Sequence, residues 1–596
     1  MSVLVTASCW GLLPLALLFA VVVTVRLGML VVPAAPAYER LLAGAVLTVG
    51  GLAVGVRLLG AAGALRASVA LPLLAVVALG LEIAARRRAL PLALPWRRVA
   101  SRSTAALLLV ALGAVVLASA AAYLLPIWQW DALGYHLPYV AFVLQEGSFG
   151  GVPVDVPYLT TYPHVVELLF AGWRLMLPDD RLVDAAQIPL GLLGALAVAS
   201  LARREGARPD HAVAAGAVWL TVPAVFLQLP TNYVDVASAS FLLAAAYFVL
   251  APPTPARVVV AGVAIGAFLG SKPNAPIGAT ILFAVLAVYT YRSVHRRWLA
   301  VAVACALVIG AESFLVNTLR HGNPIWPVAL SLGPLKLPGT IVMSALLESG
   351  ANAPRLHGPL LLRVARSWTT LAAPPVFDMR YGGFGPAFIV ALPAALWHVA
   401  RRRSVAIAAV FVAALASPDP AVARYVLAIP ALALAFGAPW LAKASARLRV
   451  AILGVAAIAA AAALVQAAPG VWGEGPPLWA YLRLTDAERA RAVGAAGRPA
   501  EYLDAHARLA PGERTLFDAS FDLPYLAWPG DLSRRVARIP DSVGDQELSL
   551  LLDDPTVRLL VVGDDLPAGL LARRRSDTFT PLFHCRTSAC TVYARY

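Results

Sequence analysis

Residues 104–138 read TAALLLVALGAVVLASAAAYLLPIWQWDALGYHLP. From Thr104 to Ile127 there is no charged side chain. That run is long enough to cross a hydrocarbon core of about 30 Å as a helix. Just beyond it stands Asp131, among Trp128, Trp130, Tyr135 and His136. A carboxylate is costly near lipid, so an acid at the mouth of a span is a functional candidate. The bland reading is an N-cap for the next helix, with the aromatics as an interfacial belt. A second acid, Asp235 in Thr231-Asn232-Tyr233-Val234-Asp235, stands at another span end and carries the same two readings.

The rest of the chain repeats this grammar. Of its 596 residues 60% are hydrophobic and 14% charged, with mean hydropathy +0.75. Soluble proteins carry about 25% charged residues. The net charge of +15 resides largely in arginines clustered between apolar runs, such as Arg86-Arg87-Arg88, Arg97-Arg98, Arg203-Arg204, Arg296-Arg297 and Arg401-Arg402-Arg403. This is the positive-inside pattern, and it argues against a nucleic-acid surface. The Ala/Val/Leu/Arg/Gly/Pro bias points to a GC-rich, bacterial genome.

About 14 spans are expected, with cores at 11–32, 41–64, 67–85, 104–126, 182–202, 211–229, 235–251, 256–271, 276–292, 298–316, 383–400, 404–417, 421–441 and 450–468. With the Arg clusters in the cytoplasm, Asp131, Asp235, Lys272 and residues from about 470 onward face outside. The apolar segment Tyr162 to Leu177 would invert that topology if it crossed. It is read as a helix at the outer interface, anchored by Trp173 and Arg174.

The expected fold is an all-α polytopic membrane protein with a small extracytoplasmic α/β C-terminal domain. Residues 1–103 form an N-terminal extension of about three spans. Residues 104–470 form the core, with outer loops 127–181 and 317–382. Residues 471–596 form the tail domain. In the tail, Glu513–Asp518 and Val557–Val562 read as strands, and Asp486–Ala496 and Glu547–Leu552 as helices. Cys9 and Cys305 lie in apolar runs and read as small core residues. Cys585 and Cys590, in the polar tail, suit a disulfide in an oxidising compartment.

Other residues join the two acids. His164 and Glu167 share one helix face at i and i+3, and with His136 they are weak candidates for a divalent metal. Hydrogen bonding to a sugar or a phosphate, or simply to each other, is the commoner use. Lys272, in Gly270-Ser271-Lys272-Pro273-Asn274, either snorkels to the interface or holds a lipid phosphate. Arg424, followed by Tyr425, either pairs with nearby Asp419 or binds phosphate, which guanidinium matches well. His321-Gly322-Asn323-Pro324-Ile325-Trp326-Pro327 opens the second outer loop and Gly382-Gly383-Phe384-Gly385-Pro386 closes it. Both read as turns.

Taken in order, these residues resemble the GT-C superfamily of polytopic glycosyltransferases. The branch most similar holds the protein O-mannosyltransferases and the aminoarabinose transferases of lipid A. The resemblance covers about residues 104–470. It rests on aromatic-flanked Asp131, Tyr162-Pro163, Asp235, Lys272, Gly322-Asn323-Pro324 and Arg424-Tyr425. The acidic Asp-Glu pair of the O-mannosyltransferases is here Asp131-Ala132, so an adjacent-Glu dyad does not carry over.

The resemblance implies an enzyme that takes a hexose or pentose from a polyprenyl-phosphate donor at the extracytoplasmic face of the plasma membrane. The acceptor is a glycan, lipid or protein of the envelope. It implies Asp131 as base, Arg424 and Lys272 on the leaving phosphate, and Asp235, Tyr135, His136, His164, Glu167 and Tyr425 as substrate contacts. A lipid-borne donor needs no nucleotide-binding loop, and no Gly-rich phosphate loop is visible. The rival classes are a transporter or lipid-linked-sugar flippase, for which internal symmetry is expected, and an inactive envelope scaffold.

Overall fold

The computed structural model describes residues 11–88, 101–153, 156–342, 358–371, 383–471, 475–493, 499–585 and 588–596. Cys9, Arg97-Arg98, Gly382 and the Arg586-Thr587 tip of the tail hairpin lie outside them.

Each of the fourteen apolar segments is helical over most of its length. The reason is elementary: in lipid every backbone N–H and C=O must bond within its own segment. Ser101, Thr254, Ser404 and Ser445 start four of the helices by accepting the amides of Thr104, Arg257, Ile407 and Leu448, an arrangement that satisfies otherwise orphaned donors. By length and composition six helices can cross a membrane, or seven if Trp298–Gly310 and Glu312–His321, bent 71° apart, are one span. Five shorter apolar helices accompany them. Fourteen crossings would require the shorter and broken helices to cross as well.

Burial sorts the helices into hub and periphery. All residues of Asp235–Leu250 are buried. Ala67–Arg87 instead leaves Leu73, Val76, Leu79 and Ile83 exposed, the face expected to meet lipid. Close packing is made by small residues. A Cβ on Gly310 would collide with the Gly266 carbonyl oxygen, so Pro255–Leu269 and Trp298–Gly310 touch backbone to backbone, as membrane helices do where glycine permits. Charges inside the bundle are paired: Arg26 with Glu82 at 2.5 Å, and Arg257 with Glu39 at 2.6 Å.

Between the two turn segments lie short strands. They are β1 (Val328–Leu332), β2 (Leu335–Leu337), antiparallel to β1, and β3 (Ile341–Val342), parallel to β1. The Gly333-Pro334 turn between β1 and β2 was the available signal. Gly322, at φ +65°, ends the preceding helix, and Asn323 ties the turn to the Val328 and Pro338 carbonyls.

The tail forms a five-stranded sheet in the order β5-β4-β6-β8-β7. Its strands are β4 (Arg514–Phe517), β5 (Arg535–Arg538), β6 (Val557–Gly563), β7 (Phe579–His584) and β8 (Cys590–Arg595). β4 runs parallel to β5 and β6, while β8 is antiparallel to β6 and β7. Helices Asp486–Ala492, Pro499–His506, Asp545–Asp553 and Pro567–Arg574 complete it. Cys585 and Cys590 are joined as a disulfide at the β7–β8 hairpin. Cys305 is a free, partly buried thiol.

The sheet domain docks on the segment 127–181. Gln145 accepts from the Trp528 indole at 3.0 Å and the Val536 amide at 2.8 Å. The rings of Phe142 and Trp528 meet edge to face at 4.8 Å. Arg174, expected as an interfacial anchor, is instead buried and donates to the Gly530 carbonyl at 2.8 Å. Trp173 donates to the Leu182 carbonyl. The short Val165–Arg174 helix thus has protein at the Arg174 end, and the anchor reading of Arg174 is corrected.

A candidate active site of four charges

Asp131 leads into a π-helical turn, Ala132–His136, that continues as the Leu137–Glu146 helix. π-turns inside helices recur at functional sites. Asp131 makes no side-chain cap. Its carboxylate accepts instead from Arg424 at 3.0 Å, across 293 residues of sequence.

Asp235 opens the buried hub helix, and its carboxylate does not cap it. One oxygen takes a close hydrogen bond from Lys272, and the other faces Arg424 at 3.5 Å. Arg424 therefore bridges the two acids, and Lys272 closes the row. The side-chain exposures of Asp131, Asp235, Lys272 and Arg424 are 21%, 2%, 13% and 14%. Asp131 is the open end of the cluster and Asp235 its buried root. The cluster is electrically balanced, as buried charges must be.

The local readings of the two cations fail for traceable reasons. Asp419 is occupied by Arg363 at 3.1 Å and by the Ala421 amide, which leaves Arg424 to reach the distant acids. Lys272 does not snorkel; its ammonium lies over the Tyr425 ring at 4.9 Å. Arg424 lies over Tyr233 and Tyr425 at 4.9 and 5.0 Å. Its Nε–H is buried without a hydrogen-bond partner, an unsatisfied charged donor inside the cluster.

Two positioning residues carry no motif. Gln187 is fully buried. Its amide donates to the Gln228 carbonyl, and its oxygen accepts from the Val236 and Ala237 amides. It therefore caps the Asp235 helix from a distant segment, a role that the cap rule would give to a neighbour in sequence. The Tyr233 hydroxyl accepts from the Asp131 amide at 3.2 Å, tying one acid-bearing loop to the other.

His136 and Glu167 meet at 2.6 Å, both buried. His164 points elsewhere: it bonds the Leu159 carbonyl and packs on Tyr139 at 3.9 Å. The expected shared use of His164 and Glu167 is therefore corrected, and the three weak metal candidates do not converge. Among the described residues no three His, Cys, Asp or Glu side chains are grouped to hold an ion. Tyr135, Tyr158 and Tyr162 form an aromatic collar with ring centroids 5.4–5.9 Å apart. Tyr158 and Trp130 are about half exposed, so the collar has an open edge.

No family model and no curated protein matches this chain. Solved structures do. ArnT from Cupriavidus metallidurans in the apo state matches with TM-score 0.51 and 16% identity, over 83% of this chain and 98% of that one. The same protein bound to undecaprenyl phosphate matches with TM-score 0.50 and 16% identity, over 82% and 97%. The oligosaccharyltransferase of Archaeoglobus fulgidus matches with TM-score 0.37 and 17% identity, over 76% and 69%; at that score it carries no weight. The chain shares the fold of ArnT, and at 16% identity the likeness is one of fold.

Proposed function

We propose that this chain is an integral membrane glycosyltransferase that moves one sugar from a polyprenyl-phosphate donor to an extracytoplasmic acceptor. The observation that carries the reading is Arg424. It bridges Asp131 and Asp235 and keeps a buried Nε–H that has no partner in the resting protein. The fold adds support, since a protein of this architecture has been crystallised with undecaprenyl phosphate.

In the reaction, the acceptor hydroxyl gives its proton to the Asp131 carboxylate, the more open acid. A carboxylate within hydrogen-bond reach can do this. The acceptor oxygen bonds to the anomeric carbon with inversion. The bond from that carbon to the phosphate oxygen breaks, and its electron pair stays on polyprenyl phosphate. Arg424 and Lys272 face the charge that develops there, where fixed donors in a dry site count most. Asp235 holds both cations in place. Tyr135, His136, Glu167 and Tyr425 line the approach, and His164 supports the loop behind it.

The proposed setting of this site, and of the docked tail, is the extracytoplasmic face of a bacterial plasma membrane with about 14 crossings; the arginine clusters support that reading. The tail lies against the loop that carries Asp131, which suits a part in acceptor selection.

The test is incubation of the purified protein with a panel of synthetic polyprenyl-phosphate sugars and candidate acceptors. Release of polyprenyl phosphate with at least one donor supports transfer. Movement of the intact donor across vesicles without release would assign the chain to the flippases instead.

A further inference from the structure

A large cavity lies away from the four-charge site. It measures about 810 Å³, within the range of about 300–1,000 Å³ that takes a sizeable apolar ligand. Its walls come from the helices Arg102–Leu124, Pro209–Leu220, Gly385–Arg402, Ala428–Gly437 and Ala446–Ala467. Val390 and Val455 line it and are 67% and 64% exposed, so it opens sideways, where lipid would lie. Along Gly385–Arg402 the lining runs from Pro386 to Trp397. At about 1.5 Å per residue that is roughly 16 Å, about half the hydrocarbon core and so one leaflet deep.

One end of this groove is basic and aromatic. Trp397 and Trp440 line it and are each 39% exposed. The Arg401 guanidinium lies 3.9 Å and the Lys443 ammonium 5.2 Å from the Trp397 ring. Among the described residues neither cation meets a carboxylate, whereas neighbouring Arg402 faces Glu205 at 3.6 Å. His211 lines the same end. It is 2% exposed, and its Nδ1 is buried without a partner. Chain direction fixes which end this is. Arg424 precedes the Ala428–Gly437 helix and Lys443 follows it, so the basic rim and the four-charge site lie at opposite ends of the same helices.

We infer that this groove holds one bilayer phospholipid with an anionic headgroup, drawn from the leaflet opposite the Asp131 site. The apolar walls take the acyl chains, and Arg401 and Lys443 take the phosphodiester. Basic pockets between helices bind anionic headgroups in this manner. A zwitterionic lipid would bring its own ammonium against the same two cations. The inference rests on membrane embedding and is independent of the transfer reaction.

The test uses the detergent-solubilised full chain and native mass spectrometry, with phosphatidylglycerol and phosphatidylcholine as probes. Phosphatidylglycerol is expected to bind at least tenfold more tightly. The double variant Arg401→Ala/Lys443→Ala should weaken it by about 25-fold, about fivefold per cation, and weaken phosphatidylcholine, whose own ammonium offsets its phosphodiester, by much less. Val455→Trp, a change at an exposed lining position, should weaken both lipids by filling the groove. Equal affinity for the two lipids overturns the proposal, as does undiminished phosphatidylglycerol binding by the double variant when its melting curve is normal. Displacement of phosphatidylglycerol by polyprenyl phosphate at equal concentration would give the groove to the donor's tail, and would overturn it too.

Discussion

Replacing Arg424 with alanine removes the bridge between the two acids. Lys272 still neutralises Asp235, so the orphan is Asp131. That acid is partly exposed, and water can take the lost place. The fold should therefore survive. The donor phosphate should lose the charged donors it meets at Arg424, including the Nε–H that has no partner in the resting protein. A hydrogen bond to a charged group is worth roughly 1.5–3 kcal/mol. The expected fall in kcat/KM for the donor is then roughly 10- to 150-fold, with a smaller change in the acceptor KM. Arg424→Lys keeps the charge and loses the fork, so it should recover only part of the loss. The assay is polyprenyl phosphate release at varied donor and fixed acceptor, with a thermal melt as control. If Arg424→Ala keeps its donor kcat/KM while melting normally, the guanidinium does not meet the phosphate and its role is confined to pairing the acids.

Further outcomes follow from other parts of the structure. Gln187→Leu strands the Val236 and Ala237 amides, each worth about 1–3 kcal/mol when buried without a partner; melting temperature and turnover should fall together, and a stable but inactive variant would contradict the capping role. Burial lifts the Asp180 carboxyl to about 6, against the opposing pull of Arg174 and the Tyr525 hydroxyl. Because the folded value lies above the unfolded value of about 3.9, its contribution is full below about pH 4 and lost as pH rises through 6. Hydrogen exchange at residues 525–530, corrected for intrinsic rate, should therefore show firmer docking at pH 5 than at pH 7.5, by on the order of 1–2 kcal/mol; equal protection would refute it. For sidedness, a membrane-impermeant thiol reagent on intact cells should label Cys585 and Cys590 only after reduction. Labelling that requires lysis would place the tail in the cytoplasm and invert the topology.

Much of the site was legible as positions and little of it as partnerships. Asp131, Asp235, Lys272 and Arg424 all announce themselves as charges at the ends of apolar runs. Which acid meets which cation is a tertiary fact, decided over 293, 189 and 37 residues of separation. Sequence proximity offered Asp419 to Arg424, but Arg363 had claimed it. Gln187 was invisible because an amide in an apolar stretch has no period or motif. Arg174 looked like a lipid anchor because its burying partner, Gly530, lies 356 residues away. In the tail, β4 and β6 stood out as apolar runs. β7 did not, since it contains Pro581, which the sheet tolerates because β7 is an edge strand.

The measurement that bears most directly on the account is turnover by Asp131→Asn. The substitution keeps size and hydrogen-bonding capacity but removes the base. The account predicts that polyprenyl phosphate release falls by about 10²–10⁴, while expression, melting temperature and donor binding stay within twofold. Near-normal release by a well-folded Asp131→Asn protein would contradict it, because no proton would then pass through the residue on which the mechanism turns.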